Sequence, residues 1–167
     1  MRTTQRIVLS SMLAALACVA TMIIKIPSPL GGYINLGDCI VLLIANVLSP
    51  CYGFFAAAIG SALADIFSGY ALYAPATFVI KGVMVLIAYG VHKLLSSRTN
   101  SLISRAISGV LAELFMVFGY YVFEGFVYGF GAVLVNIPAN AIQGFAGVVI
   151  GLILVKLFEK NKIFPLN

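Results

Sequence analysis

The chain is short of charged residues and cysteine and has no tryptophan, and these shortages exclude several classes of protein. Of its 167 residues, 9% are charged and 62% are hydrophobic, which is not the composition of a water-soluble domain. Cys18, Cys39 and Cys51 have no metal-binding or redox spacing, and we interpret them as small buried residues. No phosphate-binding loop, HExxH motif or serine–histidine arrangement occurs, so we predict no enzyme, cofactor or metal site.

Long apolar runs make up most of the remaining sequence and predict an all-α membrane protein with six transmembrane helices. About 20 apolar residues cross a bilayer as a helix, and short links leave room for one integral membrane domain over residues 1–167. The predicted spans are about 7–24, 36–48, 51–67, 74–91, 103–123 and 130–157. The second is too short to cross upright, so we expect it to be partly re-entrant or to lie in a thinned region. Pro138 is expected to kink the last span.

The basic residues predict the orientation of these spans. Six spans place eight of the ten basic residues on one side: Arg2, Arg6, Lys93, Arg98, Arg105, Lys156, Lys160 and Lys162. The positive-inside rule makes this side cytoplasmic, with both termini inside. The net charge of +5 therefore reflects membrane orientation, and we predict no binding of nucleic acid.

Tyrosines concentrate on the opposite, outer side. Six of the eight lie near that face: Tyr33, Tyr70, Tyr73, Tyr120, Tyr121 and Tyr128. An interfacial aromatic belt would occupy both faces, so the asymmetry favours an outward-facing aromatic pocket.

Charged residues inside the predicted spans are candidates for function, because a charge in a bilayer persists only when it is paired or used. Asp65 and Lys81 fall at similar depth near the outer side, and they form either a structural ion pair or a contact with a polar ligand. Glu113 lies near the middle of the fifth span, as a functional carboxylate or as a protonated group bonded to a neighbouring helix. Asp38 is interpreted as a helix cap, and Glu124 as a solvated residue at the outer rim.

The sixth span carries a polar stripe. Asn136, Asn140, Gln143 and Gly147 are four, three and four residues apart, which places them on one face of a helix. Amides can hold helices together in lipid, or they can donate to and accept from an uncharged heterocycle. We favour the second interpretation. The predicted substrate-binding residues are Tyr33, Asn35, Tyr73, Lys81, Glu113, Tyr120, Asn136, Asn140 and Gln143.

The first span has small residues at helical spacing. Ser10 and Ser11 are each followed by an alanine four residues later, Ala14 and Ala15. Such faces let helices approach closely, either inside the bundle or against another protein.

Three stretches of the sequence together resemble the substrate-binding S component of energy-coupling factor (ECF) vitamin transporters. They are GYINLGD at 32–38, GSALAD at 60–65 and PATFVIKG at 75–82. The resemblance extends over almost the whole chain and is closest to the subgroup linked to hydroxymethylpyrimidine and pyridoxine, with riboflavin-type members nearby.

This resemblance implies a multi-pass protein of a prokaryotic cell membrane that binds a small water-soluble vitamin or precursor near its outer face. Hydroxymethylpyrimidine or pyridoxine is the favoured substrate, and riboflavin or another vitamin is the alternative. The implied partners are a transmembrane coupling subunit and two cytoplasmic ATPase subunits, which would hydrolyse ATP. The coupling-subunit contact maps onto Ser10, Ser11, Ala14 and Ala15.

Two other functions stay open at this point. One is a stand-alone carrier driven by protons through Glu113, and the other is a membrane scaffold whose polar residues only hold helices together.

Overall fold

The computed structural model describes residues 3–161, which form six α-helices and a β-hairpin. The helices are α1 (Thr3–Ile23), α2 (Gly37–Val47), α3 (Pro50–Phe67), α4 (Ala74–Leu95), α5 (Ser101–Tyr128) and α6 (Ile137–Lys160). The hairpin strands are β1 (Lys25–Pro27) and β2 (Tyr33–Asn35), and a short 3₁₀ helix, Ala132–Asn136, precedes α6. The predicted all-α bundle of six helices is confirmed. Arg2 and Lys162, which entered the orientation argument, lie outside the described residues.

Helix α2 is the short element that the sequence predicted to be re-entrant or to lie in a thinned region. It has 11 residues, and all of them are buried. Helices α1, α3, α4 and α6 contact it, so protein covers it along its whole length. A helix enclosed in this way need not match the bilayer thickness, because no lipid contacts its backbone. The other five helices are long and apolar enough to cross a membrane.

The five long helices are arranged around α2. Helix α1 packs against α3, α3 against α4, α4 against α5, and α5 against α6. Leu43 and Ile44 of α2 are fully buried and pack into one core with Met84 of α4 and Met116 of α5. The apolar residues that face outward, such as Phe118 at 61% exposure, are those expected to meet lipid.

Three prolines lie at the starts of helices and do not bend them. Pro50, Pro75 and Pro138 lie in the first turns of α3, α4 and α6, where the missing N–H would have no partner inside the helix. The expected kink at Pro138 is therefore wrong. The predicted sixth span divides before this residue, because the 3₁₀ helix ends at Asn136 and α6 begins at Ile137.

The β-hairpin lies across one end of the bundle. Its strands are antiparallel, with Ile26 opposite Ile34, and the connection turns through Gly31 and Gly32 at φ 64° and 67°. These left-handed values favour glycine. We call this end of the bundle the outer end, following the distribution of basic residues.

Candidate binding site

Two amide side chains of the α6 region fasten the hairpin to the bundle. The Asn136 amide accepts from the Leu30 backbone N–H at 3.1 Å and donates to the Leu30 carbonyl at 2.7 Å. Gln143 Oε1 accepts from the Asn35 backbone N–H at 2.9 Å. Two of the three amides in the predicted polar stripe are thus engaged with the hairpin backbone.

A small polar cavity of about 20 Å³ lies beneath the hairpin. It is lined by the hairpin and by α3 to α6, with Tyr33, Asn35, Asp65, Tyr73, Thr77, Tyr120, Glu124, Asn140 and Gln143 among its walls. Asn140 is 7% exposed and makes no side-chain hydrogen bond within residues 3–161. This amide is therefore available to a molecule that enters the cavity.

Tyr33 and Asp65 join the hairpin to α3. The Tyr33 hydroxyl donates to Asp65 Oδ1 at 2.7 Å. Burial, reinforced by the neighbouring Asp65 carboxyl, raises the pKa of Tyr33 well above its ordinary value, so the phenol keeps its proton and remains the donor. The second oxygen, Asp65 Oδ2, is buried and has no hydrogen-bond partner.

Lys81 pairs with Asp38, not with Asp65, so the Asp65–Lys81 ion pair, one of the two alternatives that the sequence left open, is not formed. The Lys81 ammonium contacts Asp38 Oδ1, and the two side chains are 3% and 0% exposed. Gln143 Nε2 donates to the other Asp38 oxygen at 2.6 Å. The reason is the central position of α2, which brings Asp38 against α4, whereas Asp65 faces the hairpin.

The interpretation of Asp38 as a helix cap is also wrong, because Asp38 makes no side-chain bond to the helix start. The backbone N–H of Gly37 is instead satisfied by Asn35 Oδ1 at 2.9 Å.

Glu113 lies below the cavity, facing α6. A Cβ added to Gly147 would be 2.7 Å from Glu113 Oε1 and 2.9 Å from Asp38 Cβ, so the two acidic side chains meet at this glycine. Glu113 is 5% exposed, and neither of its oxygens has a hydrogen-bond partner. It is the least satisfied carboxyl group in the described part of the chain.

Glu124 is buried at 3% exposure, not solvated at the rim as the sequence suggested. It accepts from the Tyr73 hydroxyl at 3.3 Å and from Asn136 Nδ2 at 2.9 Å. Burial, followed by hydrogen bonding to Tyr128 and the nearby Glu124 carboxyl, raises the pKa of Tyr73, which keeps this phenol protonated as well.

Of the nine residues predicted to bind substrate, six line the cavity: Tyr33, Asn35, Tyr73, Tyr120, Asn140 and Gln143. The other three do not line it, since Asn136 holds the hairpin while Lys81 and Glu113 lie below the cavity, Lys81 in its ion pair with Asp38. Tyr120 connects the two layers, because its ring lies 5.4 Å from the Lys81 ammonium and its hydroxyl is 3.0 Å from Thr77 Oγ1.

Sequence reasoning missed the lining roles of Thr77, Ser28 and Glu124, whereas it had left Asp65 open as a contact for a polar ligand. A signal existed for Glu124, which shares a helical face with Glu113 and Tyr120. No pattern in the sequence distinguishes Thr77 from other hydroxyl residues.

A second, apolar cavity lies far from this chemistry. It has a volume of about 790 Å³ between α1 and α3, and its walls include Ser10, Ser11, Ala14 and Ala15. The two helices approach closely here, since a Cβ on Gly60 would collide with the Ala14 carbonyl. The small-residue face of α1 thus packs partly against α3 and partly opens outward, with Ala15 exposed.

Comparison with known proteins points to one family. Residues 1–160 match the family model described as "ECF-type riboflavin transporter, S component". A Pyrococcus woesei protein described as "Uncharacterized protein in gap 3'region" is 34% identical over 134 residues, which is 80% of this chain and 87% of that protein. A solved structure, "Structure and mechanism of the S component of a bacterial ECF transporter", superimposes with a TM-score of 0.76 at 25% identity, covering 95% of this chain and 98% of the other.

Proposed function

The chain belongs to the family of S components of ECF-type transporters, and on this premise we propose that it binds a small water-soluble vitamin or precursor with high affinity for import. The family is a substrate-binding transporter component and not an enzyme. The observation that carries the proposal is the enclosed site under the hairpin, where phenols, amides and a carboxyl group converge at one end of a bundle that otherwise faces lipid.

The chemistry of the site favours a single uncharged aromatic ring. Tyr33, Tyr73 and Tyr120 offer faces for stacking. The Asn140 amide can donate to and accept from ring substituents, and Gln143 Oε1 can accept from them once its bond to Asn35 is exchanged. Hydroxymethylpyrimidine and pyridoxine are rings of this kind and are the substrates we favour. Riboflavin is the alternative, which the description of the matching family model supports, but its three fused rings require a larger opening.

Substrate entry requires the hairpin to move. A site for a small molecule usually has about 300–1,000 Å³, and the cavity has about 20 Å³. The bonds that must be exchanged are those from Asn136 to Leu30, from Gln143 to Asn35 and from Tyr33 to Asp65. We expect a bound ring to replace the last two, because both end on residues that line the cavity.

The partners proposed for this chain are a transmembrane coupling subunit and two cytoplasmic ATPase subunits. The exposed small residues of α1 beside the apolar cavity support α1 as the contact for the coupling subunit. Ala15→Phe is the sharper test, because Ala15 is exposed whereas Ala14 already packs against α3.

We expect Ala15→Phe to abolish co-purification with the coupling subunit and to leave vitamin binding intact. Val110→Phe, at a lipid-facing position of α5 with 46% exposure, is the matched control and should change neither. Loss of vitamin binding in Ala15→Phe would instead mean that this face packs inside the chain.

The identity of the substrate is tested by mass spectrometry of the small molecule released when the detergent-purified protein is denatured. A near-stoichiometric pyrimidine or pyridine would support the favoured substrates, and a flavin would support the alternative. If the protein releases no small molecule and no water-soluble vitamin, these three included, raises its melting temperature, the binding function is refuted.

A proton-coupled carrier is the second candidate, and the unpartnered Glu113 carboxyl is the observation that favours it. Liposomes containing only this chain distinguish the two functions. Vitamin uptake that stops when the proton gradient is collapsed, and that is lost in Glu113→Gln, would support the carrier. An S component should bind the vitamin yet show no such uptake without its partners.

A further inference from the structure

The buried carboxyl groups of the outer half suggest how the site chooses among forms of its substrate. Building on the proposed function, we propose that the site accepts a vitamin that is uncharged or cationic where it meets Asp65, and that it rejects the phosphorylated form of the same vitamin. Asp65 is the residue to which we assign this selection.

Charge is unevenly distributed along the membrane normal. Four of the five carboxyl side chains lie in the half of the bundle that carries the hairpin or at its middle: Asp38, Asp65, Glu113 and Glu124. Each is at most 5% exposed. Of the eight basic residues between positions 3 and 161, only Lys25 and Lys81 belong to this half, so carboxyl groups outnumber cations around the site.

Neither of these two cations lines the cavity. Lys81 is paired with Asp38 below the cavity and does not line it. Lys25 is exposed on the hairpin and donates to Ser68 Oγ at 3.1 Å. A phosphate group is normally held by Arg or Lys side chains or by several free N–H groups, and no arginine or lysine within residues 3–161 lines this cavity.

Asp65 favours a substrate group that donates a hydrogen bond over an anionic group. It is 4% exposed, lines the cavity and keeps one oxygen, Oδ2, without a hydrogen-bond partner, while Oδ1 is occupied by Tyr33. A buried acceptor of this kind is satisfied by an N–H or O–H group of the substrate. A phosphate oxygen placed there would face a carboxylate, with Glu124 in the same cavity wall.

The test compares each vitamin with its phosphate ester on the purified full-length protein. Suitable pairs are hydroxymethylpyrimidine and its monophosphate, pyridoxine and pyridoxine 5′-phosphate, and riboflavin and flavin mononucleotide. For the pair that binds, we expect the ester to bind about 100-fold more weakly or worse, because like charges oppose each other in a buried site. Equal affinity for both members of the pair would overturn the inference.

Two variants separate the effect of Asp65 from the effect of the protein's net charge. Asp65→Asn should weaken binding of the neutral form and reduce the discrimination against the ester about tenfold, since the amide keeps the size but not the charge. Glu159→Gln removes a carboxyl at the far end of the bundle, where it contacts Arg105, and should leave the ratio unchanged. An unchanged ratio in a folded Asp65→Asn protein would overturn the assignment to Asp65.

Failure of the proposed substrates can be told apart from failure of this inference. If no pair binds, the favoured vitamins are wrong. The charge of the molecule released from the purified protein then tests the inference. A neutral or cationic molecule would support the charge selection, and a molecule with a phosphate or carboxylate group would overturn it.

Discussion

Replacing Lys81 by methionine removes the charge from the buried ion pair and keeps a side chain of similar length. Asp38 would then retain a single donor, Gln143 Nε2 at 2.6 Å, at a position with 0% side-chain exposure. Removing one partner of a buried pair typically costs about 3–5 kcal/mol, because the other charge stays buried without compensation. We therefore expect Lys81→Met to lower the free energy of unfolding by about this amount.

A second substitution should recover most of this loss if the pair is the one that the structure shows. In Lys81→Met/Asp38→Asn both charges are gone, and a neutral pair is often as stable as the ion pair it replaces. The matched control is Lys81→Met/Asp65→Asn, which removes the partner expected from the sequence and should not recover stability.

The assay is equilibrium unfolding of the detergent-solubilised protein, with the four proteins compared under identical conditions. Two results would refute the reasoning: a Lys81→Met protein as stable as the wild type, or recovery by Asp65→Asn rather than by Asp38→Asn.

Two further predictions concern the hairpin and the packing of α6. Tyr33→Phe removes the phenol that donates to Asp65 Oδ1, so stability should fall by about 1–3 kcal/mol and amide exchange in residues 25–35 should accelerate. Unchanged exchange would contradict the role of this bond. Gly147→Ala should destabilise by about 1–3 kcal/mol through overpacking against Glu113, measured in the same unfolding assay. Gly90→Ala, where an added Cβ meets nothing within 4 Å, is its control and should be neutral or stabilising.

The amide stripe near the start of α6 could be predicted from the sequence, but its hydrogen-bond partners could not. Spacing predicted Asn136, Asn140 and Gln143 on one face of one helix. Asn140 and Gln143 lie in α6 and Asn136 ends the 3₁₀ helix before it, yet all three are buried near the hairpin. Their partners could not be predicted, because the hairpin backbone that engages Asn136 and Gln143 lies 106 and 108 residues away in sequence. The structure leaves only Asn140 uncommitted in this stripe.

Glu124 was predicted to be solvated, and the structure buries it. Its position near the end of α5 suggested exposure, since helix ends in a membrane protein usually meet water or headgroups. The hairpin and the 3₁₀ helix cover this end, and Tyr73 and Asn136 bond to the carboxyl. Burial of a helix end by other segments depends on the tertiary structure and cannot be predicted from the sequence of that helix.

The sequence alone determined the class of protein, the number of helices and the side on which each loop is expected. These follow from the length and hydrophobicity of single segments and from the position of basic residues, which act through the membrane and need no knowledge of neighbouring helices. The tertiary structure decided which charges pair, which amides remain free and that α2 is enclosed. Those outcomes depend on the rotation and depth of one helix against another, as for Asp38 and Lys81, which are 43 residues apart in sequence.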